Sequence, residues 1–284
     1  MFLTLTEYLC KQYFNISANN HFNSNYLLKN LNKINNSVKN RFIDLYKTVN
    51  AGHVGVSLSS CELLVFIKFW LMHKNDKLIL SKGHAAALLY SVLAENNEIS
   101  QKTINTFYKN NTILPAHPPV NKISGIPFAT GSLGHGLSLS AGLGLAYKFK
   151  KKSTKVFCIT SDGELNEGGT WEAAMFIKQH KLINVLWFID RNYIQGFGRT
   201  EEVMQLDPLD KKLESFGFHV ITVNNGHDFN ELKKAYKQIS STQPNVIIAK
   251  TIKGNGWKNF QNTVDCHYLP LSDQDYQQIK KDIK

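Results

Sequence analysis

Asp162 and Asn192 stand thirty residues apart, each within two residues of the end of a continuous apolar run, KVFCIT and NVLWFID. One is a carboxylate and the other a carboxamide, and both are hard oxygen donors. Mg²⁺ is usually held by few protein oxygens, with phosphate oxygens and water completing the shell. Gly163 lets backbone amides approach an anion, and a helix expected to start near Gly168 aims its N-terminus at the same region. Taken singly, Asp162 reads as a helix cap and Asn192 as a turn residue. Together, after two buried strands, they point to a metal and phosphate site.

Four histidines add proton chemistry. His53, His84, His117 and His135 lie in AGHVG, SKGHA, PAHPP and LGHGL, loops that contain Gly or Pro. Imidazole exchanges protons near pH 7, so it suits acid–base work there. One such histidine is more often structural than not; four in loops of this kind argue for a site. His73, His180, His219 and His227 have no motif around them and receive no role.

The elements that must position these residues are legible. Lys155–Thr160, Asn184–Asp190, His219–Val223 and Asn245–Thr251 read as strands, with a short one at Asp76–Leu80. Each is continuously apolar, as in a parallel sheet covered on both faces. Helical segments at 168–181, 208–216 and 229–241 separate the later strands. Leu27–Val49 is helical by the spacing of Leu28, Leu31, Ile34, Val38, Phe42 and Leu45. After the loop 50–55, Ser59 and Glu62 have capping-box spacing ahead of CELLVFIKFWLM. The strand DKLIL feeds the helix AAALLYSVLAE. The fold class is therefore three-layer α/β/α with a mostly parallel sheet, whose ligands sit beyond the carboxyl ends of the strands. Residues 1–25 read as an N-terminal extension and 26–284 as one domain. The small-residue segment Leu137–Tyr147 suits close packing against a second subunit better than simple burial.

Bulk properties exclude several classes. The 284 residues suffice for a large core. The formal charge is +11, but the lysines are scattered. The densest run, Lys148–Lys155, reads as a solvated helix end, so no nucleic-acid partner is expected. A phosphorylated substrate also suits a basic chain. No apolar run approaches the roughly 18 residues of a membrane span, and the N-terminus is too polar for a signal peptide. Cys10, Cys61, Cys158 and Cys266 form no CxxC pair, which fits reduced thiols in a cytoplasmic protein.

The Asp162-Gly163 to Asn192 spacing resembles the thiamine diphosphate family. AGHVG at 51–55, LSKGHA at 80–85, LPAHP at 114–118 and TGSLGHG at 130–136 are similar to transketolase motifs, in transketolase order, and the likeness runs from about residue 27 to about 270. The resemblance implies a thiamine-diphosphate-binding fold and ketol transfer between sugars or sugar phosphates. It makes Asp162, Asn192 and the carbonyl of Ile194 ligands of Mg²⁺ or Ca²⁺. Gly163, His84 and His267 contact the diphosphate; Gly131 and Leu133 line the pyrimidine side; His53 and His117 face the substrate. Glu167 sits at a subunit contact that links paired cofactor sites.

Departures from the family pattern are Ser161 for the first Gly of GDG, His135 for a common Gln, and Cys266 where an aromatic often precedes the histidine. The pyrimidine-binding and C-terminal domains of a full transketolase do not follow, nor does the glutamate that activates the cofactor. The chain is thus expected to act with a partner carrying those domains, in a heterotetramer of two chains each. Two alternatives stay open. One is a thiamine-dependent transferase acting on an unusual sugar or a pyruvate-derived donor. The other is a degenerate regulatory subunit, against which Asp162, Asn192 and His84 argue.

Overall fold

The computed structural model describes residues 24–120 and 122–283, with side chains from residue 30 onward. Nearly all of the extension expected at 1–25, Cys10 included, lies outside the described residues.

Helix α1 (Ser24–Val49) leads into α2 (Val54–Phe66), which ends in a π-helical turn at Ile67–Leu71. Strand β1 (Lys77–Leu80), a 3₁₀ turn (Gly83–Ala85), α3 (Ala86–Glu95) and α4 (Gln101–Ile104) follow. A long loop then reaches α5 (Gly136–Phe149), β2 (Val156–Ser161), a 3₁₀ turn (Gly163–Asn166), α6 (Gly168–Gln179) and β3 (Val185–Arg191). A small hairpin, β4 (Ile194–Gln195) and β5 (Gly198–Arg199), precedes α7 (Thr200–Val203) and α8 (Leu209–Ser215). The chain finishes with β6 (His219–Val223), α9 (Phe229–Tyr236), β7 (Asn245–Lys250), α10 (Asp265–Tyr268) and α11 (Asp273–Asp282).

The main sheet runs β1-β2-β3-β7-β6, and every pairing in it is parallel. Strands β2 and β3 are buried at every residue, as their unbroken apolar runs require. Their alternate side chains feed two cores. Phe157, Ile159, Leu186 and Phe188 join residues of α1, α2 and α3 on one face. Val156, Cys158, Val185 and Trp187 join α5, α6 and α8 on the other. The expected strands and the three layers are all present. The face of α5 bearing Gly136, Leu137, Ser140, Ala141 and Gly144 is buried, while Gly142 on its other side opens onto free space.

Three local expectations need correction. Ser59 does not cap a helix. Helix α2 starts five residues earlier, with His53 in its N-cap position at φ 69°. Its apolar side chains pack all round, so the chain forms helix directly after His53; Ser59 Oγ instead donates to Val56 O (3.1 Å) and Asp190 Oδ2 (2.6 Å). Second, Val54–Leu71 does have the length and hydropathy of a membrane span, 18 residues at a mean of 1.6, but 89% of it is buried inside the domain. It is apolar because protein surrounds it on every side. Third, α6 begins at Gly168 as expected, but its N-terminus does not directly follow the end of β2. The 3₁₀ turn Gly163–Asn166 intervenes, and Gly168 is exposed.

Candidate active site

Beyond the carboxyl ends of β2, β3 and β7 lies a cavity of about 230 Å³. Its wall includes Asp162, Asn192 and Ile194, and also His84, His117, Gly131, Leu133, Gly163 and His267. Nine of the eleven residues expected at the site therefore meet in one place. His53 is not on the wall, but its ring lies 5.4 Å from that of His84 and 5.2 Å from that of His267, and the latter two stack at 5.3 Å. Glu167 lies apart from the cavity and is exposed, beside Gly134.

The oxygen donors are held by backbone. Asp162 Oδ1 accepts from Gly163 N at 2.9 Å. Its Oδ2 accepts from Tyr193 N (2.6 Å), Arg191 Nη1 (3.2 Å) and Thr200 Oγ1 (3.3 Å). Burial pushes this carboxyl upward, over the pull of Arg191, and Asp190 adds to the rise. A cation beside it would reverse that shift. Tyr193, at φ 65°, turns the chain after β3, and Asn192 Oδ1 accepts from Ile194 N at 3.1 Å. These contacts present the Asp162 carboxylate, the Asn192 carboxamide and the Ile194 carbonyl from two neighbouring strand ends.

Two lysines outside the expected set dominate the electrostatics. Lys82 and Asp190 form an ion pair at 2.5 Å with both side chains fully buried. Burial opposes ionisation of Asp190, but Lys82 overcomes it and holds the carboxyl low. Lys253 is different. Its Nζ donates to Ile194 O (2.7 Å) and to His267 Nδ1 (2.9 Å), and among the described residues it forms no ion pair. Burial, with Lys82 nearby, lowers it to about 8. A buried ammonium with only uncharged partners is costly unless an anion joins it. Lys253 follows β7 just as Asn192 follows β3, so extending the strand-end rule to β7 would find it. Lys82 stands inside the SKGH motif.

The imidazoles are kept neutral. Burial, then Lys253, draws His267 down to about 3. His84 is lowered far by burial and then by Lys82, and His53 and His117 are also lowered, chiefly by burial.

Close backbone approaches fix the loops that carry these rings. A Cβ on Gly83 would lie 2.6 Å from the carbonyl of Thr130, and one on Gly52 2.2 Å from the carbonyl oxygen of Tyr268. Gly131, at φ +150°, lies under His117. His53 N donates to His267 O at 2.9 Å. Glu164, which no sequence motif singles out, is fully buried. Its carboxylate accepts from Gly134 N (3.1 Å), Ser161 N (2.8 Å) and Ser81 Oγ, which ties the 131–136 loop to the ends of β1 and β2.

Hard oxygen donors, two buried lysines and three imidazoles share the cavity wall, a set whose chemistry suits a diphosphate with a divalent metal. Residues 31–283 match the family model described as "Transketolase, thiamine diphosphate binding domain". The chain is 35% identical over 237 residues to the 6-deoxy-6-sulfo-D-fructose transketolase subunit SqwG of Clostridium sp. (strain MSTE9), covering 80% of this chain and 86% of that one. It is also 35% identical to an apulose-4-phosphate transketolase subunit from Actinobacillus succinogenes, covering 78% of this chain and 84% of that one. The transketolase structure from Leishmania mexicana superposes with a TM-score of 0.83 at 25% identity, over 93% of this chain but only 42% of that one.

Proposed function

The chain belongs to the transketolase family, as its thiamine diphosphate binding domain, and from that premise we propose that it is the diphosphate-binding subunit of a two-chain transketolase. The reaction is transfer of a two-carbon ketol unit from a ketose phosphate to an aldose phosphate. The observation that carries this reading is Lys253, a buried ammonium beside the carbonyl of Ile194 with no carboxylate partner among the described residues. A diphosphate bound here would supply the missing anion, and the Ile194 carbonyl would be one of the groups that hold its divalent metal.

Thiamine diphosphate supplies the carbanion chemistry when bound. In this reading Asp162, Asn192 and the Ile194 carbonyl hold Mg²⁺ or Ca²⁺. His84, His267 and the Gly163 amide hold the diphosphate, joined by Lys253 and, through its field, Lys82. Gly131 and Leu133 line the pyrimidine side. His53 and His117, kept neutral, accept protons from substrate hydroxyls. Glu167, exposed beside the 131–136 loop, faces a neighbouring protomer, as does the open side of α5 at Gly142.

A partner chain carries the pyrimidine-binding and C-terminal domains, in an assembly of two chains each. Two relatives bear the word subunit in their names and are covered over 84–86% of their length, against 42% for the solved transketolase, which supports that division. The sugars in those two names are uncommon ones. A modified sugar or sugar phosphate therefore stands beside the ordinary ketose phosphates as substrate.

The test is co-expression with the gene's neighbour and titration of the complex with thiamine diphosphate and Mg²⁺, followed by a ketol-transfer assay over a panel of ketose donors. Saturable, metal-dependent binding with transfer is expected. No binding by the complex would sink the reading.

A further inference from the structure

We infer that His227 is a positioning residue that sets the place of Lys253 through the backbone of Ile252. This rests on the proposed role of the cavity in binding a diphosphate.

His227 lies outside the cavity, on the loop between β6 and α9, and its two ring nitrogens have opposite duties. Nε2 accepts from Ile252 N at 2.9 Å. The ring proton is therefore on Nδ1, which meets Glu62 Oε2 at 2.9 Å. A carboxylate behind an imidazole fixes both its tautomer and its orientation. Glu62 is itself fixed: Oε1 takes the Lys39 ammonium at 2.6 Å and Asn35 Nδ2 at 3.0 Å. The chain of contacts thus runs from α1 through α2 to the residue just before Lys253.

The loop is built to reach that amide. Gly226 N donates to Lys250 O at 2.7 Å, and a Cβ on Gly226 would lie 2.7 Å from Thr251 Cγ2. His227 N is turned by Asn225 Oδ1 at 3.1 Å. The segment 251–253 has left the sheet, so its next amide has no strand partner. Without His227, Ile252 N–H would be a donor lacking its acceptor. The Lys253 ammonium, held 2.7 Å from Ile194 O, would lose the anchor on the N-terminal side of its own backbone, leaving Asn262 N on Lys253 O (2.9 Å) and Gly254 N on Gly55 O (3.0 Å).

Two near-isosteric substitutions separate the two duties. His227→Asn keeps a donor toward Glu62 but is too short to reach Ile252 N. His227→Gln places its carbonyl oxygen where Nε2 was and keeps that contact. Both variants are made in the full chain, in complex with its partner. Binding of thiamine diphosphate with Mg²⁺ is measured by calorimetry and exchange of the Ile252 amide by hydrogen–deuterium methods. His227→Asn should raise the cofactor Kd about tenfold and speed Ile252 exchange, while His227→Gln restores both. A purely structural role would lower the melting temperature of His227→Asn and leave the Kd of the folded protein unchanged. Equal Kd for His227→Asn and wild type would overturn the inference alone; absence of binding by wild type would overturn the proposed function and the inference with it.

Discussion

The ammonium of Lys82 sits 2.5 Å from Oδ2 of Asp190, with both side chains fully buried, and this pair divides the work of the two buried lysines. Lys82 is committed to a carboxylate that Ser59 Oγ (2.6 Å), Asn192 Nδ2 (3.3 Å) and Thr251 Oγ1 also contact. Removing it strands Asp190 as a buried charge. Lys82→Met should therefore cost about 3–5 kcal/mol of folding stability, read by urea denaturation of the chain. A loss below about 1 kcal/mol would mean that the pair is hydrated.

Lys253 should behave in the opposite way. Its hydrogen-bond partners, Ile194 O and His267 Nδ1, are uncharged, and replacing a buried ammonium that lacks a direct ion-pair partner by a similar apolar side chain is neutral or stabilising. Lys253→Met should keep or raise the melting temperature. Its affinity for thiamine diphosphate should fall roughly 10- to 100-fold, the worth of one or two charge-assisted hydrogen bonds. Destabilisation with unchanged affinity would remove Lys253 from the diphosphate site.

Much of this is legible in the sequence, for a physical reason. Continuous apolar runs betray strands covered on both faces, and parallel strands place ligands at their carboxyl ends. Asp162, Asn192 and His84 can be placed on that basis, and the other loop histidines by the Gly and Pro around them. Lys253 can be flagged by the same rule as a residue that follows a strand, but its contact with Ile194 and the roles of Glu164 and His227 cannot, because they depend on which strand lies next to which. Strand β7 lies between β3 and β6, which brings the residue after Ile252 against Ile194. Nothing in the local run TIKG states that neighbour. The start of α2 is hidden because a helix buried on all sides has no apolar stripe, and a Ser–Glu spacing inside it imitates a cap.

Gly83 offers a steric test of the cavity wall. A Cβ there would lie 2.6 Å from the carbonyl carbon and oxygen of Thr130 and 2.7 Å from the nitrogen of Gly131. These are backbone atoms and cannot rotate aside, so Gly83→Ala must displace the loop bearing Gly131 and Leu133. The expected loss is about 1–3 kcal/mol of stability, with weaker cofactor binding as a second consequence. Circular dichroism melts and calorimetric titration would check both. Wild-type values for both would mean that the 130–133 loop is free to move.

The histidine cluster predicts how stability changes with pH. His84 and His267 are lowered by burial first and then by the nearby lysines, His267 to about 3. In the unfolded chain both return to the ordinary value near 6.5. As pH falls below about 6.5 the unfolded state takes up protons that the folded state refuses, so stability is full at neutral pH and declines on acidification. The slope approaches about 1.4 kcal/mol per pH unit for each fully shifted ring. The buried Glu62 gives no such loss in this window. Burial would raise it, but Lys39 and His227 hold it far below the usual range, so its contribution fades only below about 4.5. Urea denaturation of the cofactor-free chain at pH 7.5 and 5.5 should therefore show a clear loss of stability. His267→Phe, which cannot take up a proton in either state, should reduce that loss. An equal loss in the variant would mean that His267 is protonated in the folded chain, and the neutral imidazole assigned beside Lys253 would be wrong.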